Sequence, residues 1–305
     1  MPSPGTAYGV TMSSFDPGVV IDLHTHSDRS DGTESPELVV RRAAEAGVDV
    51  IALTDHDVIS GWAEADAAGR EHGVCVVPGI EVSCSFEGAS VHLLAYLPDP
   101  SHSGLMTELE TARAGRDARL RTMVELIGEA GYPVTYDEVL AQAGPEATLG
   151  RPHIADVLVR KGVFDDRDGA FRELLSTGSP YYVSYRVLDP VRMTELIVAA
   201  GGVPVIAHPF STRHGRVAPV RLIEEMTEAG LVGIEVDHHD HGAQERALAA
   251  SVASDLGLLA TGSSDYHGAG KVNVLAEHTT APEVFRAIVD RASGTGLLGA
   301  AQRAG

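Results

Sequence analysis

Histidine, aspartate and glutamate recur in this chain at the ends of short apolar runs, spaced as metal ligands are. The first run ends in His24-Thr25-His26, and Asp31 follows in a polar turn. In an extended strand, residues two apart point to the same side, so both imidazoles can face one ion. The second run ends in Thr54-Asp55-His56-Asp57, the third in Gly79-Ile80-Glu81, and the fourth carries His92. Later runs end in Ala207-His208-Pro209, in Glu235-Val236-Asp237-His238-His239-Asp240-His241, and in Ser264-Asp265-Tyr266-His267. A lone histidine at a strand end is more often an ordinary surface or packing residue than a ligand. Seven runs that each end in, or carry, a His, Asp or Glu form a joint pattern that chance does not supply. Imidazole with carboxylate is a donor set for manganese, iron or zinc.

The elements that must position these groups are legible in outline. The apolar runs at 19–23, 48–53, 74–80, 91–97, 203–207, 231–236 and 256–261 have strand length. Segments at 35–46, 63–71, 191–200, 219–229 and 243–254 read as amphipathic helices, the first with Ser35 as cap and Pro36 in its first turn. Buried strands alternating with helices imply a parallel sheet, open or closed into a barrel. In a barrel the strand C-termini build the active site, and the polar clusters fall there. One stretch breaks the alternation. From residue 99 to 187 the pattern is nearly all helical, at 105–130, 136–143, 152–161 and 168–175, with joints at Gly131-Tyr132-Pro133, Gly144-Pro145 and Gly178-Ser179-Pro180. The expected organisation is a barrel in two parts, 19–98 and 189–292, a helical insert subdomain at 99–188, and flexible termini at 1–18 and 293–305.

Composition narrows the class. With 305 residues, 44% hydrophobic and 22% charged, the chain is globular and large enough for one sizeable core. Its formal charge of −20 argues against coating DNA, though not against one phosphorylated ligand in a pocket. Only Lys161 and Lys271 among the 23 basic residues are lysines. No apolar window reaches the roughly 18 residues of a membrane span, and the N-terminal stretch lacks the regions of a secretory signal. Two cysteines, Cys75 and Cys84, suit a reducing compartment. A soluble, cytoplasmic protein is expected.

The motifs His24-x-His26 with Asp31, Thr-Asp-His56, Gly-x-Glu81, His92, Ala-His208-Pro and Ser-Asp265-x-His267 resemble those of the polymerase-and-histidinol-phosphatase (PHP) family, from about residue 20 to 271. Gly150-Arg151-Pro152-His153-Ile154-Ala155 with Lys161-Gly162, and Glu235-Val236 before His238, are similar to the branch acting on nucleoside 3′,5′-bisphosphates and RNA 5′ ends. Asp237 stands where that family usually has an aromatic residue, which removes any contact by such a ring.

The resemblance implies an α/β fold, a distorted (β/α)7 TIM-like barrel of the PHP type with an inserted, mainly helical subdomain. It also implies three divalent metal ions, manganese first with iron or zinc as alternatives. His24, His26, Glu81 and Asp265 would hold the first ion. Glu81, His92 and His208 would hold the second, and Asp31, His56 and His267 the third. The implied reaction is hydrolysis of a phosphate ester by a metal-bridging hydroxide, either the 3′-phosphate of a nucleoside 3′,5′-bisphosphate (pAp to AMP) or short RNA from its 5′ end. Phosphate esters hydrolyse very slowly unassisted, and two ions about 3.5–4 Å apart can share a hydroxide and clamp a phosphoryl oxygen.

Other residues carry two readings each. Arg151 and His153 could reach a phosphate or merely open a helix. His238 could protonate the leaving oxygen. Arg213, His214 and Arg216 could form an anion rim or a solvated loop. Asp55 and Asp57 would orient His56. Cys75 reads as core, and Cys84 as core or near the site. Trp62, Tyr181, Tyr182 and Tyr185 could stack on a base or pack the insert on the barrel.

Three rivals remain: a histidinol-phosphate-type phosphatase, an amidohydrolase and a metal-binding module without activity. The common two-metal amidohydrolase needs a bridging lysine at a strand end, and neither lysine here lies in such a place. If Glu81 bridges two ions, Glu81→Ala abolishes phosphatase activity and lowers bound metal by more than one equivalent, counted by mass spectrometry; full activity would refute the bridge.

Overall fold

The computed structural model describes residues 18–184, 188–212 and 216–300. Seven strands follow one another round a nearly closed barrel: β1 (Ile21–Thr25), β2 (Val50–Leu53), β3 (Cys75–Phe86), β4 (Ala89–Tyr96), β5 (Val203–Ala207), β6 (Gly233–Asp237) and β7 (Leu259–Gly262). At the seam the His26 amide donates to the Tyr266 carbonyl at 2.8 Å and the Ser264 amide to Asp22 Oδ1 at 3.0 Å. One phase of the strands packs inward, with Ile21, Val50, Val77, Leu94 and Val205 meeting Phe285 and Ile288 of a helix at Pro282–Arg291. The other phase, including Ile51, Leu53, Val76, Leu93 and Ile206, packs outward against helices such as α1 (Pro36–Glu45) and α2 (Trp62–His72). Ser35 caps α1 by accepting from the Leu38 amide at 3.2 Å.

Two departures from a regular barrel position the site. Asp22 lies opposite Ile51 and Thr25 opposite Leu53, so β1 has one residue more than β2 between those pairs. This bulge shifts the phase of everything after it. In an unbroken strand His24 would share the outward side of Asp22; the bulge turns His24 and His26 into the barrel. The fully buried Tyr96 donates from its hydroxyl to the Leu23 carbonyl inside that bulge at 2.9 Å.

The second departure corrects the expectation of a uniformly parallel sheet. β4 runs antiparallel to both neighbours. Only Glu87 and Gly88 join it to β3, at φ 49° and 83°, and a two-residue turn with both φ positive permits only a hairpin. Because β4 is reversed, its beginning lies at the mouth where the other strands end. His92, the fourth residue of β4, therefore faces the same space as Glu81 and His208.

Between β4 and β5 come α3 (Ser103–Glu129), α4 (Tyr136–Ala143), α5 (Arg151–Arg160), α6 (Arg167–Ala170), a π-helical turn at Phe171–Leu175, and α7 (Pro190–Ala199). The first half of α3 packs Leu105, Leu109 and Ala112 on the barrel. Its second half packs Leu120, Met123 and Ile127 in a separate core with Val139, Ile154, Leu158 and Leu174.

The chain end differs from the flexible terminus expected from its small residues. The amides of Ser293 and Gly294 donate to the Gly201 carbonyl at 2.8 and 3.0 Å, and Leu298–Gly299 pair with β3. Residues 1–17 and 301–305 lie outside the described part. Among the described residues no helix is long and apolar enough to cross a membrane.

Tyr96→Phe removes a buried hydrogen bond from the bulge, and we expect a loss of about 1–3 kcal/mol in urea unfolding of the metal-free protein. An unchanged midpoint and slope would show that the bulge holds without it.

Candidate metal centre

At the barrel mouth one carboxylate gathers five imidazoles. Glu81 Oε2 lies 3.2 Å from His24 Nε2, 3.0 Å from His26 Nε2 and 3.3 Å from His56 Nδ1. Its Oε1 lies 2.6 Å from His92 Nδ1 and 3.2 Å from His208 Nε2. Asp265 Oδ1 approaches His24 and His26 at 3.5 and 3.4 Å. Asp31 Oδ1 is 3.1 Å from His267 Nε2, and its Oδ2 is 3.9 Å from His56 Nε2. All of these side chains are buried or nearly so.

These residues fit divalent ions. Donor atoms of His24, His26, Glu81 and Asp265 lie within 4.8 Å of one another, as do those of His26, Asp31 and His56 and those of His56, Glu81 and His92. The first group coincides with the expected first ligand set. The other two share His56 and His26 in a way that the sequence does not foretell. Asp31 Oδ1, His56 Nδ1 and His267 Nε2 are buried without a hydrogen bond of acceptable geometry, as atoms reserved for a cation are. The site therefore has clustered groups able to bind several metal ions.

Neighbouring groups hold these donors in place. Glu235, fully buried, accepts from the His208 amide at 2.8 Å and from the Ser263 hydroxyl, and lies 3.1 Å from His24 Nδ1. A carboxylate on the far nitrogen of a ligating histidine fixes its ring and leaves Nε2 for the ion. Asp55 accepts from the Ser27 amide and hydroxyl at 2.8 and 2.6 Å and from Ser30 Oγ at 2.6 Å, bracing the turn that carries Asp31. Asp57 accepts from the Ser83 amide at 2.8 Å and pairs with Arg116 of α3 at 2.9 Å. Both aspartates therefore brace backbone and insert instead of orienting the His56 ring, which corrects the role expected of them. Asp57, His208 and Asp265 have φ of 56°, 28° and 53°. Such left-handed non-glycine conformations cost on the order of 1–3 kcal/mol each and cluster at functional sites.

Burial lowers the pKa of an imidazole and raises that of a carboxyl. At His24 burial is outweighed by Glu81, Glu235 and Asp265, which raise it well above the ordinary value. At His26 burial is outweighed by Asp265 and Glu81, and the pKa reaches about 9. Against burial, imidazoles hold Asp31 and Glu81 well below the usual carboxylate range, as Lys271 and His267 do for Asp265. Burial, with Lys271 and His26 nearby, pushes His267 down to about 4.

Several expected contacts move. The Gly150 amide donates to His153 Nδ1 at 3.0 Å, which leaves Nε2, 2.9 Å from the Ser30 carbonyl, to donate. His153 thus ties the insert to the Asp31 turn and is not among the residues lining the cavity. His238 is fully buried and is not among the residues lining the cavity. It accepts from the Asp240 amide at 3.0 Å, directs Nε2 at Asp265 Oδ2, 3.5 Å away, and forms with His24, His208 and Glu235 a further group of donor atoms within 4.8 Å of one another. Arg151 does line the cavity, its guanidinium 5.5 Å over Tyr182 and donating to the Leu175 carbonyl at 2.7 Å. Arg216 turns away to the Glu87 carbonyl at 3.3 Å. Arg213, His214 and Tyr185 lie outside the described residues. Trp62 is packed in the core, donating to the Gly79 carbonyl at 3.0 Å, and Tyr181 packs in the insert. Burial pushes the Cys75 thiol up to about 12 and raises Cys84 as well.

Sequence reasoning missed Lys271, Arg116 and Arg119 as parts of the site, and it quoted Glu235 in a strand-end run without giving it a role. Glu235 had a signal, being a carboxylate at a strand end like Glu81. Lys161 pairs with Glu138 in the insert and Lys271 with Asp265, so each lysine is engaged by a carboxylate, and Glu81 is the group that lies between the imidazoles.

Fold and site together define a metal-dependent hydrolase built on the mouth of a barrel. The family profile described as PHP domain matches residues 22–140. The chain is 37% identical over 259 residues to a 3′,5′-nucleoside bisphosphate phosphatase of Chromobacterium violaceum, covering 85% of this chain and 91% of that protein. It is 34% identical to a 5′-3′ exoribonuclease of Haemophilus influenzae, covering 81% and 89%, and 32% identical to a phosphoribosyl 1,2-cyclic phosphate 1,2-diphosphodiesterase of Eggerthella lenta, covering 82% and 95%. Among solved structures, one assigned as a metal-dependent phosphoesterase from Bifidobacterium adolescentis superposes with a TM-score of 0.88 at 37% identity, covering 91% of this chain and 98% of that one. A Chromobacterium violaceum protein described as an amidohydrolase, solved with sulfate and no metal, gives 0.82 at 34% identity, covering 94% and 100%. This chain belongs to the PHP family and is a metal-dependent phosphoric ester hydrolase.

In the metal-free protein His26, at about 9, carries a proton at neutral pH. An incoming ion must displace it, so metal loading is expected to release protons and apparent affinity to fall as pH drops below about 9. Calorimetry in buffers of different ionisation enthalpy measures that release; none at pH 7 would contradict a protonated His26.

Proposed function

We propose that this enzyme removes the 3′-phosphate from nucleoside 3′,5′-bisphosphates at a centre of three divalent ions, manganese first, and trims short RNA from a 5′ end in the same site. Water adds to phosphorus, the P–O3′ bond breaks, and the nucleoside oxygen leaves with a proton. His24, His26, Glu81 and Asp265 would hold one ion, Glu81, His92 and His208 a second, and Asp31, His56 and His267 a third. When bound, such ions neutralise phosphate charge and supply water acidic enough to attack at neutral pH. The two oxygens of Glu81 face different sets of imidazoles, which suits a carboxylate shared by two ions.

The observation that carries the substrate is the cavity. A single space of about 750 Å³ has Asp31, His56, Glu81, His92, His208 and Asp265 on one side, with Arg116, Arg119, Arg151, Arg167 and Arg172 of the insert also on its wall. Phosphate on the donor groups and a second phosphate toward the arginines is what a bisphosphate presents. Tyr182 and Phe171 line the same wall and offer flat apolar faces to a base. The names borne by the Chromobacterium and Haemophilus relatives support both substrates. Cys75 and Cys84, buried and free, suit the cytoplasm.

The test is phosphate release from pAp, AMP, a short 5′-phosphorylated RNA and histidinol phosphate by protein reloaded with Mn²⁺ and counted for metal. Preference for pAp with close to three ions is expected; three ions and no turnover of pAp or RNA would discard the substrate reading. Arg151→Ala should raise KM for pAp more than for p-nitrophenyl phosphate. Equal changes would leave Arg151 a helix-end brace.

A further inference from the structure

Lys271 is one of two lysines in a chain whose other cations are arginines. It follows a 3₁₀ turn at Gly268–Gly270, lines the cavity of the donor cluster, and puts Nζ 2.6 Å from Asp265 Oδ2. Asp265 thereby divides its oxygens. Oδ1 faces His24 and His26, while Oδ2 faces Lys271 and, at 3.5 Å, His238. Bracing Asp265 does not require the lysine. The Asn273 side-chain amide donates to the Ser264 and Asp265 carbonyls at 2.8 and 3.4 Å, and His238 already faces the carboxylate.

An ammonium has three donors, and only the bond to Asp265 is made within the described residues. Its side chain is 30% exposed, into the cavity. Arg167 on the same wall is differently placed, held by both oxygens of Asp156 at 2.6 and 2.7 Å and donating to the Asp31 carbonyl at 3.0 Å. A compact, rotatable point charge one carboxylate away from the metal groups is placed to meet a phosphoryl oxygen. Charge on the three equatorial oxygens is what phosphoryl transfer must stabilise.

We propose that Lys271 is a substrate-contacting residue whose ammonium, held by Asp265, binds a non-bridging oxygen of the phosphoryl group under attack. This rests on the phosphoesterase reading of the same site. The experiment compares the wild type with Lys271→Met and Lys271→Arg, all reloaded with Mn²⁺. Metal content is counted, binding of inorganic phosphate is measured by calorimetry, and turnover is followed with p-nitrophenyl phosphate. Lys271→Met is expected to keep its metal, bind phosphate at least tenfold more weakly and lose about a hundredfold in kcat/KM, with Lys271→Arg recovering part of both. Unchanged phosphate affinity at full metal content would overturn the proposal. So would loss of metal in step with activity, which would make the lysine a brace for Asp265. Because phosphate binding is read without turnover, a wild type inactive on every ester would defeat the functional reading and still decide the role of Lys271.

Discussion

A carboxylate buried against five imidazoles is an expensive arrangement, and the rest of the molecule is organised around it. Glu81 is 1% exposed, and charge taken out of water must be compensated within a few ångströms. Part of that compensation comes from imidazoles that take protons, as the raised His24, His26 and His208 show. Divalent ions in their place satisfy the same carboxylates and leave each histidine neutral. The cluster is thus a store of electrostatic stress that metal relieves, and affinity for metal is coupled to proton loss.

Holding such a cluster together takes backbone irregularity at several points. The bulge in β1 turns two histidines inward, the reversed β4 brings a third to the mouth, and left-handed residues at 57, 208 and 265 aim their loops. Each is a local cost that a regular barrel would avoid. Each is also fastened from elsewhere: Tyr96 to the bulge, Arg116 to Asp57, Glu235 to the His208 amide. Precision at the mouth is therefore a property of the whole barrel and of the first half of α3.

The helical insert completes the charge pattern. The chain is strongly acidic overall, yet the insert lends arginines to the wall of a cavity whose floor binds cations. Net charge governs what collides with the surface, whereas local potential governs what stays. His153, joined to the Ser30 carbonyl, and Arg167, joined to the Asp31 carbonyl, fasten the insert to the turn bearing Asp31. The cavity wall from the insert and the donor groups in the barrel are thereby mechanically joined.

The types and order of the donors were legible in the sequence because strand ends with His-x-His, Gly-x-Glu and Asp-x-His are local patterns, read two residues at a time. The strand-and-helix alternation and the helical interruption were legible for the same reason, since hydrophobic period is local. Tertiary structure alone decided which face His24 and His26 present, because a one-residue bulge is invisible in a hydrophobic pattern yet reverses every later side chain. It decided which protein groups His153 and His238 meet, because a ring's partners depend on which atoms reach its two nitrogens. It brought Glu235 to His24 across the barrel, over a separation of 211 positions that no spacing rule can contain, and it turned Lys271 with its near neighbour Asp265 into the cavity.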